Sequence, residues 1–226
     1  MATLTPTRPA PQSYDGGLLL PGTSWADYEA MLRIVGDRHV RVTYDGDAME
    51  VSVPSQKHEQ LAQWLGLFVS RLAEELQIPY EPLGMTTWKK ASSARGLEPD
   101  QCYYFAHEAI VREKSVIDLE VDPPPDLAIE VDITHSSLDR LAIYAILGVP
   151  EVWRHDGRSL VMLGLGPDGR YTPLESSVSL PRLRPSDVEQ FLELGRTLDK
   201  LHWARELRQW ASVELLGRRG EGDDHG

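Results

Sequence analysis

The chain has 226 residues, of which 41% are hydrophobic and 26% are charged, enough to bury the core of one globular domain. Its formal net charge of −12 argues against general adhesion to phosphate backbones, because proteins that bind them usually present a basic face. The one cysteine, Cys102, cannot form an intrachain disulfide, and no apolar run approaches about 18 residues, so we expect a cytoplasmic protein that does not enter a membrane.

The first part of the chain predicts an arm, a helix, a hairpin and a second helix. Residues 1–20 are rich in proline, threonine and glycine, which predicts an irregular N-terminal arm. A helix capped by Thr23 or Ser24 follows, and an Asp-Gly-Asp turn at 45–47 joins two strands. Residues 55–76 carry apolar side chains at helical spacing and predict a long helix.

The middle of the chain predicts two further strands. Residues 80–90 are interpreted as one strand. Asp100 follows Pro99 and opens another, whose tyrosines favour extended structure. Residues 107–121 predict at most a short helix.

Residues 126–133 predict a mostly buried strand that carries two acidic side chains. Glu130 and Asp132 are two residues apart, and residues at that spacing share a face of a strand. Both carboxylates therefore leave the sheet together, and the apolar residues between them pack on the opposite face. Burying ionised carboxylates costs several kcal/mol in effective terms, so the pair requires a cation, a basic side chain or hydrogen-bond donors.

The next segment predicts a helix and then a parallel strand. The helix is predicted to begin at Ser136 or Ser137 and to end at Gly148, with Arg140 about one turn in. We expect Arg140 to reach back to one of the two strand carboxylates. A strand, a helix and a second strand in this order indicate a parallel crossover.

The rest of the chain predicts three strands and two helices, and the whole sequence an α/β (α+β) fold. The strands are predicted at 151–155, 159–165 and 170–172, and the helices at 185–194 and 196–216. We expect an N-terminal arm (1–20), one domain (21–195), a C-terminal amphipathic helix (196–216) and a disordered tail (217–226).

Acidic residues near strand ends indicate a site for a hard divalent cation. Asp100 and Glu130 offer the oxygen ligands that Mg²⁺ prefers, and such an ion can activate water and stabilise a pentacoordinate phosphorus. The alternative from the residues alone is an acidic loop and a satisfied ion pair between Glu130 and Arg140.

Three segments in order carry a resemblance to a known family. They are Gly-Leu-Glu-Pro-Asp-Gln-Cys-Tyr-Tyr at 96–104, Asp-Leu-Ala-Ile-Glu-Val at 126–131, and the run at 136–153 that ends Gly-Val-Pro-Glu-Val-Trp. Together they resemble the Uma-two family of endonucleases, of the PD-(D/E)XK restriction-endonuclease-like superfamily. The resemblance implies a restriction-endonuclease-like core, a curved mixed sheet flanked by helices. It also implies that Asp100 and Glu130 match the PD and (D/E) positions and hold Mg²⁺ (or Mn²⁺).

The same resemblance points to further site residues and to two departures. His58 matches a histidine frequent in the family, and Glu59 is the acidic residue that its helix can offer to the site. The superfamily lysine is replaced by Asp132, and the lysine that these proteins often carry in the next helix is replaced by Arg140. Arginine stays protonated, so Arg140 can orient water or stabilise charge but cannot act as a general base.

Three functions are open at this point. The first is a Mg²⁺-dependent DNA endonuclease, which the motifs favour. The second is a catalytically weak or inactive relative that binds nucleic acid or protein, which the missing lysine and the net charge favour. The third is a structural oligomer assembled through the helix at 196–216. We also expect a homodimer, because that helix and the N-terminal arm exceed what a nuclease core needs and two-fold pairs are the commonest assemblies.

Overall fold

The computed structural model describes residues 9–14, 16–133 and 136–217. The described residues form twelve strands and six α-helices. The strands are β1 (Gln12–Tyr14), β2 (Gly17–Pro21), β3 (Arg41–Tyr44), β4 (Ala48–Ser52), β5 (Glu81–Pro82), β6 (Trp88–Lys90), β7 (Arg95–Leu97), β8 (Gln101–Tyr104), β9 (Leu127–Val131), β10 (Glu151–His155), β11 (Leu160–Leu165) and β12 (Tyr171–Pro173). The helices are α1 (Trp25–Val35), α2 (Gln56–Glu75), α3 (Glu108–Val111), α4 (Arg140–Leu147), α5 (Pro185–Thr197) and α6 (Lys200–Trp210).

The strands form two six-stranded sheets. The first has the order β1-β2-β4-β3-β7-β6 and is antiparallel, and the second has the order β12-β11-β10-β9-β8-β5. In the second sheet β9 and β10 run parallel and the other pairs run antiparallel, so the predicted mixed sheet and the predicted β9-α4-β10 crossover are confirmed. The separate antiparallel sheet, β1-β2-β4-β3-β7-β6, was not predicted.

One face of the mixed sheet packs against α2, α5 and α6. Ile129 and Val131 of β9 point to this side and are buried with Phe68 of α2 and Phe191 of α5. The alternation predicted for β9 is therefore correct, because Glu130 leaves the sheet on the opposite face with the cleft residues.

The other face of the mixed sheet packs against α4 and the edge of the first sheet. Ala128 and Val152 contact Ile143 and Tyr144 of α4 there. Cys102 is also buried in this cluster, and burial raises the pKa of its thiol to about 12. The thiol is therefore a packed side chain and not a nucleophile, as the sequence indicates.

The prediction that the N-terminal arm is irregular is wrong for its described part. Residues 12–14 and 17–21 are strands β1 and β2, because the apolar run of β2 pairs along the free edge of β4. Residues 1–8 of the predicted arm and residues 218–226 of the predicted tail lie outside the described residues.

Two other boundaries differ from the sequence expectation. The single strand predicted at 80–90 is two short strands in different sheets, because Pro82 lacks an N–H donor and Gly84 adopts a positive φ of 53°. The helix predicted from Ser136 or Ser137 begins instead at Arg140, because both serines bond to a carboxylate of the first sheet and Asp139 provides the cap.

The C-terminal helix is part of the core. The segment predicted as one helix at 196–216 is the end of α5, then α6 from Asp199 as its cap, continued by a π-helical segment at Ala211–Leu215. Trp203, Leu207 and Trp210 are buried against α2 and α5. The apolar stripe that would favour assembly through this helix is therefore covered within the chain itself.

None of the described helices is both long enough and apolar enough to span a bilayer.

Candidate active site

A cleft of about 190 Å³ lies where the two sheets meet. Residues from β3 and β4 form one wall, and residues from β9, β10 and the start of α4 form the other. Its polar lining is Tyr14, Arg41, Glu50, Ser52, His58, Glu130, Asp132, Ser136, Asp139, Arg140 and Arg154. Four of the six predicted site residues, His58, Glu130, Asp132 and Arg140, are among them.

Glu130 is held by the first residue of α4. Arg140 donates from Nη2 to Oε1 of Glu130 at 2.6 Å and from Nε to Oε2 at 3.1 Å, so the predicted pairing is present. The same guanidinium donates to Oγ1 of Thr43 at 2.6 Å and to the carbonyl of Glu98 at 2.7 Å. Tyr144, one turn later, donates its hydroxyl to Glu130. Burial is the largest single effect and lowers the guanidinium pKa of Arg140, but the charge and hydrogen bonds of Glu130, together with Tyr144 and Glu50, outweigh it and raise that pKa.

Asp100 directly precedes β8 and is 1% exposed. Its carboxylate accepts hydrogen bonds from the backbone N–H of Val131 at 2.5 Å and from Arg41. His58 Nε2 lies 3.2 Å from Oδ2 of Asp100, and Arg41 also donates to Glu59 at 2.9 Å. Burial, and then the charge of Arg41, lowers the pKa of His58, so its imidazole is neutral at pH 7. The sequence-predicted residues of α2 and β8 therefore converge on one arginine.

Asp132 follows β9 and forms an ion pair with Arg154 of β10. Arg154 lies opposite Glu130 in the parallel register, and its side chain is 47% exposed. The position that the resemblance assigns to a lysine is therefore acidic in this chain. The positive charge at this point of the cleft comes instead from Arg154 on the neighbouring strand β10.

Glu50 of β4 ties the loop before α4 to the first sheet. It is buried, and it accepts hydrogen bonds from Ser136 Oγ at 2.9 Å and from the N–H of Ser137 at 2.7 Å. These bonds fix the approach of α4 and so the position of Arg140 on Glu130.

The sequence analysis did not single out Arg41, Glu50 or Arg154. A signal was present for two of them, because Arg41 and Glu50 are charged residues inside strands whose neighbours are mostly apolar. No such signal marks Arg154, whose position next to Glu130 depends on the parallel pairing of β9 with β10.

Three polar atoms at the cleft are buried without a hydrogen-bond partner among the described residues. They are the hydroxyl of Tyr14, Nε of Arg41 and Nδ1 of His58. A buried polar group without a partner costs about 1–3 kcal/mol. The cleft would therefore gain from binding a polar ligand.

Acidic side chains that line the cleft outnumber the arginines by four to three. The acidic residues are Glu50, Glu130, Asp132 and Asp139, the arginines are Arg41, Arg140 and Arg154, and Arg41 also bonds to two further acids, Glu59 and Asp100. This formal excess favours a cation, and a cation in turn would allow a phosphate to approach.

The donor set can be tested against Mg²⁺. The described residues contain no group of three His, Cys, Asp or Glu side chains arranged to hold a metal. Arg41 and Arg140 already pair with Asp100 and Glu130, the two acids that a metal would need. The residues nevertheless fit Mg²⁺ in donor type and in charge, since both acids offer hard oxygen atoms from neighbouring strands. They would hold the ion once Arg41 has left Asp100 and retained its bond to Glu59.

A mixed sheet with helices on both faces makes this an α/β protein, and its architecture fits a restriction-endonuclease-like fold. A family model described as "Uma2: Putative restriction endonuclease" matches residues 25–200, and the chain belongs to this Uma2 family. Among solved structures it is similar to a crystal structure of "a putative nuclease belonging to DUF820 from Anabaena variabilis ATCC 29413". The identity is 12% and the TM-score 0.48, over 81% of this chain and 98% of that chain. No curated protein matches the chain.

Proposed function

We propose that the chain is a Mg²⁺-dependent endonuclease that hydrolyses phosphodiester bonds of DNA. The observation that carries the proposal is the pair of acids at neighbouring strands: Glu130 on β9 lines the cleft, and Asp100, directly before β8, bonds to the next residue, Val131, and to the cleft residue Arg41. Membership of a family described as restriction endonucleases supports the same reaction.

The residues of the cleft have distinct roles in this proposal. Asp100 and Glu130 would hold Mg²⁺, and the ion would supply an activated water and neutralise charge on the scissile phosphate. Arg140 is fixed by four hydrogen bonds and keeps its charge, so it stabilises the negative charge that develops in the transition state. Arg154 is exposed enough to bind a phosphate of the substrate. His58 is a positioning residue, because it holds Asp100 through Nε2.

The test is nicking of a supercoiled plasmid with Mg²⁺, with excess chelator, and with Asp100→Asn. We expect nicking by the wild type with Mg²⁺ only, and none by Asp100→Asn. Asp168→Asn is the matched control, because Asp168 lies in an exposed turn outside the cleft and should keep wild-type activity. Wild-type protein that does not nick DNA with Mg²⁺ or Mn²⁺ contradicts the proposal.

The second candidate is a catalytically weak or inactive relative that binds nucleic acid or protein. The observation in its favour is that Arg41 and Arg140 already neutralise the two acids that a metal would need. It predicts binding of DNA that neither Mg²⁺ nor Asp100→Asn changes.

We also propose a two-fold homodimer in the cytoplasm. A dimer would present one cleft to each strand of a duplex, and two-fold pairs are the commonest closed assemblies. The lone, buried Cys102 agrees with a reducing compartment. A light-scattering mass equal to one chain at micromolar concentration, in the presence of duplex DNA as well as in its absence, contradicts the dimer.

A further inference from the structure

Tyr14 reaches the cleft from the N-terminal hairpin. β1 pairs with β2 so that Tyr14 lies opposite Gly17, and β2 in turn pairs along β4. Tyr14 and Gly16 line the same cleft as Glu130 and Arg140. Tyr14 lies before the residues that the family model matches, which begin at 25.

Gly17 has no side chain, and this leaves space in the hairpin for the ring of Tyr14. A Cβ atom at Gly17 would lie 2.2 Å from the Tyr14 hydroxyl, closer than any real contact. The tyrosine ring therefore lies directly across the glycine backbone. Any larger residue at position 17 would push the ring away from the cleft.

The hydroxyl of Tyr14 lies beside the Glu50 carboxylate, but it forms no hydrogen bond of good geometry among the described residues. Burial, and then the nearby Glu50 carboxylate, raises the pKa of Tyr14, while Arg140 has a smaller opposing effect. The hydroxyl therefore carries its proton at every physiological pH and is available as a donor. It is a neutral donor at a cleft that also contains three arginines, and the other neutral hydroxyl of known bonding there, that of Ser136, already donates to Glu50.

We propose that Tyr14 is a substrate-binding residue, and that its hydroxyl donates a hydrogen bond to a phosphate oxygen of the bound nucleic acid. The N-terminal hairpin is then one wall of the substrate site. This inference rests on the proposed nuclease function. The buried hydroxyl, unpaired in the free protein, gains its partner when a phosphate lies between the hairpin and Arg140.

The test compares Tyr14→Phe with Tyr28→Phe. Tyr28 is a matched control, because its hydroxyl is also buried without a hydrogen-bond partner among the described residues. Its ring extends from α1 and stacks on Tyr44, and it does not line the cleft. Each variant is measured for its melting temperature, for kcat and KM of plasmid cleavage, and for affinity to a fluorescent DNA duplex with Ca²⁺ in place of Mg²⁺. We expect Tyr14→Phe to weaken DNA affinity about 10-fold or more, the loss expected for one hydrogen bond to a charged group. KM should rise accordingly and the melting temperature should stay unchanged.

Each outcome either supports or overturns the role of Tyr14 in substrate binding. Tyr28→Phe should match the wild type in affinity and KM. Affinity and KM of Tyr14→Phe equal to wild type overturn the role of Tyr14 and leave the nuclease function intact. A fall in melting temperature together with weaker binding means that the hydroxyl is a structural partner of Glu50, which also overturns it. Wild-type protein that neither cleaves nor binds DNA contradicts both this inference and the proposed function.

Discussion

Arg140 connects three groups from three parts of the chain through four hydrogen bonds. Its bonds reach Glu130 on β9, Thr43 on β3 and the carbonyl of Glu98 before β8. A planar guanidinium can satisfy all of them at once, whereas a lysine ammonium is a point charge with three donors. The arginine that replaces the family lysine is therefore also the side chain that joins the two sheets at the cleft.

Substitution of Arg140 should separate its structural role from its catalytic one. Arg140→Lys introduces the lysine that the family resemblance implies at this helix, so we expect faster Mg²⁺-dependent cleavage. The melting temperature should fall by several degrees, because some of the four hydrogen bonds of Arg140 are lost. Arg140→Ala leaves Glu130 as a buried unpaired charge, which costs about 3–5 kcal/mol, and should abolish cleavage. Plasmid nicking and calorimetry measure both effects. Equal cleavage by the wild type and both variants would mean that Arg140 is only an ion-pair partner.

Arg41 pairs with Asp100 and would compete there with a metal ion. Arg41→Gln removes the charge that neutralises Asp100 and Glu59, so we expect a lower melting temperature in chelator. Mg²⁺ should then raise the melting temperature of the variant by more than that of the wild type, because the ion replaces the lost positive charge. Exposed Arg38→Gln is the control and should respond to Mg²⁺ as the wild type does. Equal Mg²⁺ shifts in all three proteins would argue against a metal at Asp100.

The sequence predicts Asp100 and Glu130 as neighbours, because the motifs that carry them lie on strands and the spacing of Glu130 and Asp132 fixes their face. It does not predict Arg41 as their partner. Arg41 and Asp100 are 59 residues apart, and their contact depends on how the two sheets meet. Local patterns specify strands and faces, whereas packing between sheets determines which charges meet.

At the scale of elements, the turn between β10 and β11 contains a buried histidine. His155 Nδ1 accepts a hydrogen bond from the N–H of Gly157 at 2.9 Å, which requires the neutral ring. Burial lowers the pKa of His155, although Asp156 and Glu189 oppose the shift. In the unfolded chain His155 is therefore protonated near pH 6.5, whereas in the folded chain it is protonated only at a lower pH.

Stability should consequently fall as the pH decreases from about 7 to 5. The contribution of His155 is fully present above its unfolded pKa and is lost as the pH falls toward its lower folded pKa. Asn can still accept the Gly157 bond but does not titrate, so His155→Asn should lose less stability over this range. Urea unfolding at several pH values measures the slopes. An identical slope in the variant would show that His155 does not carry this pH dependence.

The helix α6 should be required for folding and not for assembly. Trp203, Leu207 and Trp210 are buried in the main core, and the loss of each would cost about 3–5 kcal/mol. Their sum reaches the total stability of an ordinary domain. A chain that ends at Leu198 should therefore lose its cooperative thermal transition by circular dichroism, whereas a control chain that ends at Gly217 should keep it. A cooperative transition in the shorter chain would contradict this placement of α6.

The hydrophobic pattern of this segment predicts its amphipathic character but not the surface that it covers. The sequence could not decide whether the apolar face would meet a second copy or the same chain, because an amphipathic stripe has the same period in both cases. The N-terminal hairpin was missed for a related reason. A short apolar run between glycine and proline becomes a strand when a free edge such as that of β4 is available.

At the scale of the whole molecule, a chain with a net charge of −12 and a cleft rich in acids is proposed to bind a polyanion. A divalent cation at the cleft would resolve this difficulty, because it would turn the acidic excess into a site for phosphate. Metal binding and substrate binding should therefore be linked, and DNA affinity should rise when a divalent ion is added.

The central claim is that Asp100 and Glu130 hold a divalent cation for hydrolysis of a phosphodiester bond. The most direct measurement is a crystal of the wild-type protein grown with Mn²⁺, with data collected at the manganese absorption edge. We predict an anomalous peak within about 2.2 Å of a carboxylate oxygen of each acid, with Arg41 bonded to Glu59 and no longer to Asp100. A map without manganese at these carboxylates, in which Arg41 still pairs with Asp100, would contradict the account.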